Sequence, residues 1–428
     1  MQGKSKLLAA VAIAALAASA MPAFAKGQSS GTSEPSDQAI QTGPSNAELE
    51  ARIEALEAEV QASEQRQAQV NDQNASEMSD WQKKLIGWWD NTSISGRMYF
   101  DLTNIAQKND LGDKPNNGTN FDIKRFYVGI DHKFDDVWSA NVTTDFLYDS
   151  TAGATQLYLK KAYLQGKFDD LAVVRIGSFD MPWIPFAEDV YGYRYVENTL
   201  VDRLKYGNSA DWGVNISGST KADDLTFEYS LAAVNGAGYK KPGFGLGTNR
   251  SRSMDFEGRV DVKYMGFVVA VGDYNGDLGK DIAPGVIKHT FNRFDALVGY
   301  VGDGFHVGVE YFNDDNFNDI TTSGVTDSGN GWSGFAAYQF MPEFAVFGRY
   351  DDADPTNGTA KGQPHFNNKY YNVGIEWTPV KIVNLALVYK HDEGNDGSFT
   401  DSNGTIGGSD AVHDGHYDEF GLFGQLRW

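Results

Sequence analysis

The stretch Tyr417-Asp-Glu-Phe-Gly-Leu-Phe-Gly-Gln-Leu-Arg-Trp428 reads as a β-strand with two unlike faces. Phe420, Leu422, Leu426 and Trp428 point one way; Gly421, Gln425 and Arg427 point the other. In a soluble domain a strand finishing on a bulky apolar residue would leave that residue in water. The pattern is satisfied if the outward face meets lipid and the strand closes a barrel. The stretch therefore favours a transmembrane β-barrel over a soluble β-protein.

Working back from it, a period of two runs from Thr92 onward. Sixteen candidate strands result: 92–102, 121–133, 137–147, 155–168, 171–180, 210–220, 224–235, 253–264, 266–276, 289–301, 304–314, 331–341, 343–352, 367–378, 381–391 and 417–428. Their connections alternate between very short turns (Asp169-Asp170, Gly302-Asp303, Pro379-Val380) and long loops (103–120, 181–209, 392–416). Seven short turns and eight long loops are what a sixteen-stranded antiparallel transmembrane β-barrel needs when both ends of the chain lie on the short-turn side. A soluble sandwich has no reason to alternate so regularly. Aromatic residues bracket the strands, with Phe134, Trp138, Phe168, Tyr264 and Trp377 near the short turns and Tyr148, Tyr311 and Trp332 near the long loops, as two interfacial girdles would.

The segment before the barrel divides further. Lys4 and Lys6, the apolar run Leu7–Ala20 and Ala23-Phe24-Ala25 predict a removed signal peptide over 1–25, with the mature chain starting at Lys26. Residues 26–45 are poor in hydrophobics and read as a disordered linker. Over 46–80 a helical periplasmic segment is expected. Its Leu49, Ile53, Leu56 and Val60 keep the a/d rhythm of a short coiled coil, and the association of three barrels would support it. Residues 81–91, with Lys83, Lys84, Trp88 and Trp89, suit a membrane interface, and 92–428 is the barrel.

Composition narrows the function. A formal net charge of -22 argues against nucleic acid as a partner, because phosphate backbones are bound by basic surfaces. The acidic excess suits solubility and contact with divalent cations on lipopolysaccharide. The absence of cysteine excludes thiol chemistry, disulfides and cysteine-bound metal. Asp273-Tyr-Asn-Gly-Asp277 resembles the start of a calcium loop, but its glycine falls one place late and no closing acid follows. His413 and His416 lack further ligands, and no Gly-x-Ser-x-Gly element or Ser/His/Asp set occurs. No cofactor, metal or enzymatic role is expected.

A channel's chemistry lies in the lining of its narrowest part, and sixteen strands leave an aqueous lumen that something must constrict. The loop 181–209 is too aromatic and apolar to lie in water, so it either packs inside the barrel or meets a neighbouring subunit; inside is favoured. Within it Arg194, Arg203 and Lys205 are candidates to face the pore, beside Glu188, Asp189 and Glu197, with local ion pairing as the alternative role. From the strands, Arg97, Arg125, Lys161, Arg175, Arg259, Arg293 and Arg349 are inward candidates, together with Lys167, Lys263 and Arg427. Inward acids are as numerous, so selectivity depends on which sign stands at the constriction.

Arg175-Ile-Gly-Ser-Phe-Asp-Met-Pro-Trp-Ile-Pro-Phe186, followed by Tyr195-Val-Glu-Asn198 and Asp202-Arg-Leu-Lys-Tyr-Gly207, resembles the phosphate-selective porin O/P family. Lys124-Arg-Phe-Tyr-Val-Gly-Ile130 resembles that family's early strand. The resemblance implies a homotrimer of outer-membrane barrels passing anions, phosphate among them, along arginines and lysines. Arg125 matches the early-strand arginine; Arg203 and Lys205 match the basic position after the constriction loop. On this reading Arg203→Glu is expected to shift selectivity toward cations. The acidity of the chain is the departure from the family. The alternatives are a general or cation-preferring porin, or a structural barrel tethered to peptidoglycan through the coiled coil.

Overall fold

The computed structural model describes residues 45–109, 112–113, 117–149, 154–241, 250–324, 326–355, 366–395, 397–407 and 414–428. The expected signal peptide and all but the last residue of the expected linker lie outside them. The chain forms two compact units that meet in sequence at Asp80 and Trp81.

Helix α1 spans Asn46–Asp90. Ser45 and Glu48 cap its start reciprocally: the Glu48 amide donates to Ser45 Oγ (3.4 Å) and the Ser45 amide to Glu48 Oε2 (3.1 Å). The helix continues unbroken to Asp90 and so takes in most of 81–91, the segment expected at a membrane interface. It stops where side chains take over the last carbonyls, Asn91 Nδ2 donating to Gly87 O (3.1 Å) and Thr92 Oγ1 to Trp88 O (2.7 Å). Leu49, Ile53, Leu56 and Val60 are all exposed.

Sixteen strands make the barrel: β1 Thr92–Asn109, β2 Gly118–Lys133, β3 Trp138–Asp149, β4 Ala154–Asp169, β5 Ala172–Asp180, β6 Ala210–Ala222, β7 Leu225–Val234, β8 Asp255–Tyr264, β9 Phe267–Gly276, β10 Phe291–Gly302, β11 Phe305–Asp315, β12 Ser328–Met341, β13 Phe344–Asp354, β14 Asn367–Val380, β15 Val383–Asn395 and β16 Gly415–Arg427. Each pairs antiparallel with its sequence neighbours, and β16 returns to β1 in the register Arg97↔Arg427 through Asn109↔Gly415. Reciprocal bonds between Gly96 and Trp428 continue the closure to the final residue (3.0 and 3.1 Å). No backbone edge is left open, which is the condition for a sheet to sit in hydrocarbon.

The faces alternate as the sequence demands. Along β9 exposed Phe267, Val269 and Val271 alternate with buried Val268, Ala270 and Tyr274. Short turns bring in the expected positive-φ residues, as at Asp303-Gly304 (φ 52° and 80°). Trp138, Phe168, Tyr264 and Trp377 at the short-turn end, and Tyr311 and Trp332 at the long-loop end, stand exposed on the outside.

Five register shifts interrupt the ladders; three lie beside short turns, at Lys167/Asp169, Gln339/Met341 and Trp377/Val380, and two fall within the strands. β1 and β2 shift register between Tyr99/Phe100, leaving Lys124 as an extra residue, and β3 and β4 shift between Thr143/Thr144, leaving Lys160. Each is a β-bulge, two residues facing one. Each falls inside a basic doublet, Lys124-Arg125 and Lys160-Lys161. Strict alternation would aim one member of each doublet into lipid, where a cation costs about 2–4 kcal/mol at mid-depth. The bulge turns both members inward.

Gly177 on β5 stands opposite Gly213 on β6, three residues before the constriction loop. Its φ is +130°, and a Cβ there would lie 2.1 Å from the Ala162 carbonyl oxygen. Gly177→Ala is therefore expected to destabilise the barrel by about 1–3 kcal/mol, seen as an earlier transition in heat-modifiability gels. An unchanged transition would show that this close approach relaxes freely.

Candidate functional site: the constricted lumen

Residues 181–209 fold into the lumen. Pro182 and Pro185 suit the entry to α2 (Ile184–Tyr191), whose first turn needs no amide donors. Gly192 closes the helix in the left-handed conformation (φ 81°), its N–H donating to Glu188 O, against the His306 ring. A one-turn helix, α3 (Leu200–Arg203), follows. Trp183, Ile184, Ala187, Val196, Leu200, Val201 and Leu204 are fully or almost fully buried.

The loop lies against one wall, β8–β16, and buried charge holds it there. Glu310 on β11 accepts from Trp183 Nε1 (3.1 Å) and from the Leu200 amide (3.2 Å), clasping both halves of the loop. Glu257 accepts the Trp183 amide (2.9 Å). Arg293 donates to Tyr206 O (2.7 Å) and pairs with Asp295 (2.9 Å). Arg349 pairs with Asp351 (2.7 Å) and donates to Asn198 O. Tyr193 stacks on Phe347 with ring centres 4.1 Å apart.

Arg203 lies at the centre of this layer. It contacts Asp351 (2.9 Å), Asp392 (3.3 Å) and Asp401 (2.8 Å), donates to Asn368 (2.8 Å), and has no exposed side-chain surface. Asp401 belongs to a hairpin, Ser398–Asp401 with Gly404–Gly407, in the last long loop. Ser402 of the same hairpin bonds the Arg203 carbonyl (2.9 Å) and Glu197 (2.8 Å). Burial opposes the Glu197 carboxylate, yet Lys390, Lys124, the Ser402 hydroxyl and the Asn198 amide together hold it well below the usual range.

The opposite half of the lumen, bounded by β1–β8, remains open. A cavity of about 1000 Å³ borders Arg175, Ser217, Arg259 and Lys263. Another of about 500 Å³ borders Arg97, Tyr127, Lys160, Lys161, Glu188 and Arg194. Both touch Asp180, Pro185 and Asp189.

The ten cations expected to line the pore divide accordingly. Arg97 is exposed in the lumen and donates through Nη1 to Tyr99 Oη (3.2 Å). Arg175 is half-buried, held through Nε to Gln165 (2.8 Å). Arg125 with Asp145 (3.2 Å), Lys161 with Asp180 (3.0 Å), Arg194 with Glu188 and Asp202 (2.5 and 3.3 Å) and Arg259 with Asp261 (2.9 Å) border the open half but are ion-paired. Lys205 is exposed just after α3, beside Tyr206 and Gly207. Arg203, Arg293 and Arg349 are at most 4 % exposed. They serve as anchors beneath the loop, because the acids of β8–β15 draw them away from water. The expectation that Arg203→Glu shifts selectivity is corrected on this ground.

Lys160 was missed by the reading of the sequence, and so was Lys124, which pairs with Asp101 (3.3 Å). Strict alternation assigned them outward. The signal that would have found them is the doublet itself, since an unpaired outward lysine is incompatible with lipid.

No family model and no curated protein matches the sequence, so the resemblance to phosphate-selective porins rests on the residues quoted for it. Solved structures do match. The anion-selective porin from Comamonas acidovorans aligns with a TM-score of 0.52 at 12% identity, covering 79% of this chain and 100% of that one. The outer-membrane channel DcaP of Acinetobacter baumannii aligns at 0.52 and 12% identity, over 79% and 97%. The outer-membrane protein OmpT of Vibrio cholerae aligns at 0.51 and 13% identity, again over 79% and 97%. At these identities the likeness shows a shared fold, the closed antiparallel β-barrel.

Arg203→Ala would leave buried Asp392 and Asp401 without their cation and Asp351 with Arg349 alone, a loss of about 3–5 kcal/mol. The expected outcome is an earlier heat-modifiability transition and a larger, noisier single-channel conductance as the loop leaves its wall. A variant as stable and as quiet as the native protein would show that the loop is held by its apolar contacts alone.

Proposed function

We propose that this chain is an outer-membrane porin for passive diffusion of small hydrophilic solutes, with a preference for anions that includes phosphate. One observation carries the preference. On the open side of the constriction loop Arg97, Lys160 and Arg175 have no carboxylate within 4 Å among the described residues, while most cations elsewhere in the lumen are paired. A paired cation presents a dipole to a passing ion; an unpaired one presents a full charge. Exposed Asp189 on α2 faces the same space, so the field crosses the path from loop to wall.

The net charge of -22 does not oppose this reading. Six of the 58 acids, Glu257, Asp295, Glu310, Asp351, Asp392 and Asp401, lie buried in the layer behind the loop, out of contact with the permeant. In this reading the chain is a passive channel and catalyses nothing. A homotrimer fits it as well, because three α1 helices together would cover the exposed Leu49, Ile53, Leu56 and Val60. The aromatic belts would sit at the lipid and lipopolysaccharide interfaces.

The test is the reversal potential of purified protein in a planar bilayer under a potassium chloride gradient. The native channel should favour chloride. A unit charge about 4 Å from an ion in water is worth about 1 kcal/mol, so Arg97→Glu or Lys160→Glu should lower the chloride-to-potassium permeability ratio by roughly tenfold. Arg203→Glu should lose stability instead. A native reversal potential on the cation side would overturn the anion reading.

A further inference from the structure

Each cation on the open side that lacks a carboxylate is held by a tyrosine. Lys160 Nζ lies 4.8 Å from the Tyr127 ring centre. Arg175 Cζ lies 5.7 Å from that of Tyr163. Arg97 Nη1 donates to Tyr99 Oη at 3.2 Å. Near the long-loop end, Lys240 Nζ lies 5.4 Å from Tyr158 and 5.7 Å from Tyr239. A ring face positions a cation without cancelling its charge, whereas a carboxylate would do both. The arrangement also leaves aromatic surface in the path: Tyr127 and Tyr163 are half-buried and border the same cavity as Arg97 and Lys160. Tyr99 stands edge-on to Tyr127, centres 6.1 Å apart at 85°, and fixes that ring's plane.

Inorganic phosphate makes no use of a ring face. A permeant with a carboxylate at one end and a flat aromatic body at the other uses both features, its charge on Lys160, Arg97 or Arg175 and its ring on Tyr127 or Tyr163. We infer that the open half of the lumen is a binding track for aromatic carboxylates. The inference rests on the porin reading above and names a solute class for it.

Benzoate and cyclohexanecarboxylate separate the ring term from the charge term, since both carry one carboxylate on a six-membered ring and only one ring is aromatic. The measurement is the concentration of each that half-blocks the single-channel chloride current of the full-length mature protein. An aromatic pair's usual worth corresponds to a preference of about two- to tenfold, so benzoate should block at that much lower a concentration. Tyr127→Leu with Tyr163→Leu should abolish the difference, read as the ratio of the two half-blocking concentrations in the same channel so that any change in the chloride current cancels, and Tyr127→Phe with Tyr163→Phe should retain it. Equal block of the native channel by the two acids, or a difference that survives the leucine pair, overturns the track and leaves the anion path standing. Absence of chloride current from the native protein overturns the porin reading itself, and the track with it.

Discussion

Away from its rims the outer face of this barrel is apolar, and much else in the structure follows from that constraint. Closure removes the backbone edge, with β16 bonded to β1 through Trp428. Alternation then sends apolar side chains out and polar ones in. Where two basic residues occur in succession, the strand cannot obey both rules, and it gains a residue. The bulges at Lys124 and Lys160 thus convert a local conflict into extra positive charge in the lumen.

The interior is divided by the same electrostatics. Acids on β8–β15 sit opposite Arg203, Arg293, Arg349 and Lys390, and the loop between β5 and β6 is sandwiched into that layer. Desolvating so many charges is costly, and it is tolerated because most of them find an opposite charge or a backbone donor, as Glu310 does with Trp183 and Leu200; buried Asp314, with neither carboxyl oxygen hydrogen-bonded, is an exception. The consequence is asymmetry. One half of the lumen is filled and internally neutralised. The other half is wet, and its cations lean on tyrosines. The formal charge of the chain and the charge exposed in its open half-lumen are therefore different quantities.

The strand count, the alternation of turns and loops and the inward course of 181–209 were legible because they rest on periods and on composition, which survive in a single sequence. Arg97 and Arg175 were legible for the same reason. Lys160 was not, because a single inserted residue reverses the parity on which orientation is read. The role of Arg203 was hidden for a different reason. Its partners Asp351, Asp392 and Asp401 lie 148 to 198 residues away, and nothing local says which wall the loop will lean on. The end of α1 at Asp90 is marked by the Asn91 and Thr92 side chains, a two-residue signal that a reading by composition passes over.

The chain has no cysteine, so a single introduced thiol reports its own surroundings without background. Along β4 the account places Lys160 and Lys161 side by side in the lumen, between Leu159 and Ala162 on the lipid face. Lys160→Cys and Lys161→Cys, each assembled in membranes, should both react with a water-soluble charged thiol reagent and both lose current on labelling, while Leu159→Cys and Ala162→Cys stay unreactive. Labelling that alternates strictly along 159–162 would contradict the bulge, and with it the unpaired lysine on which the proposed anion path depends.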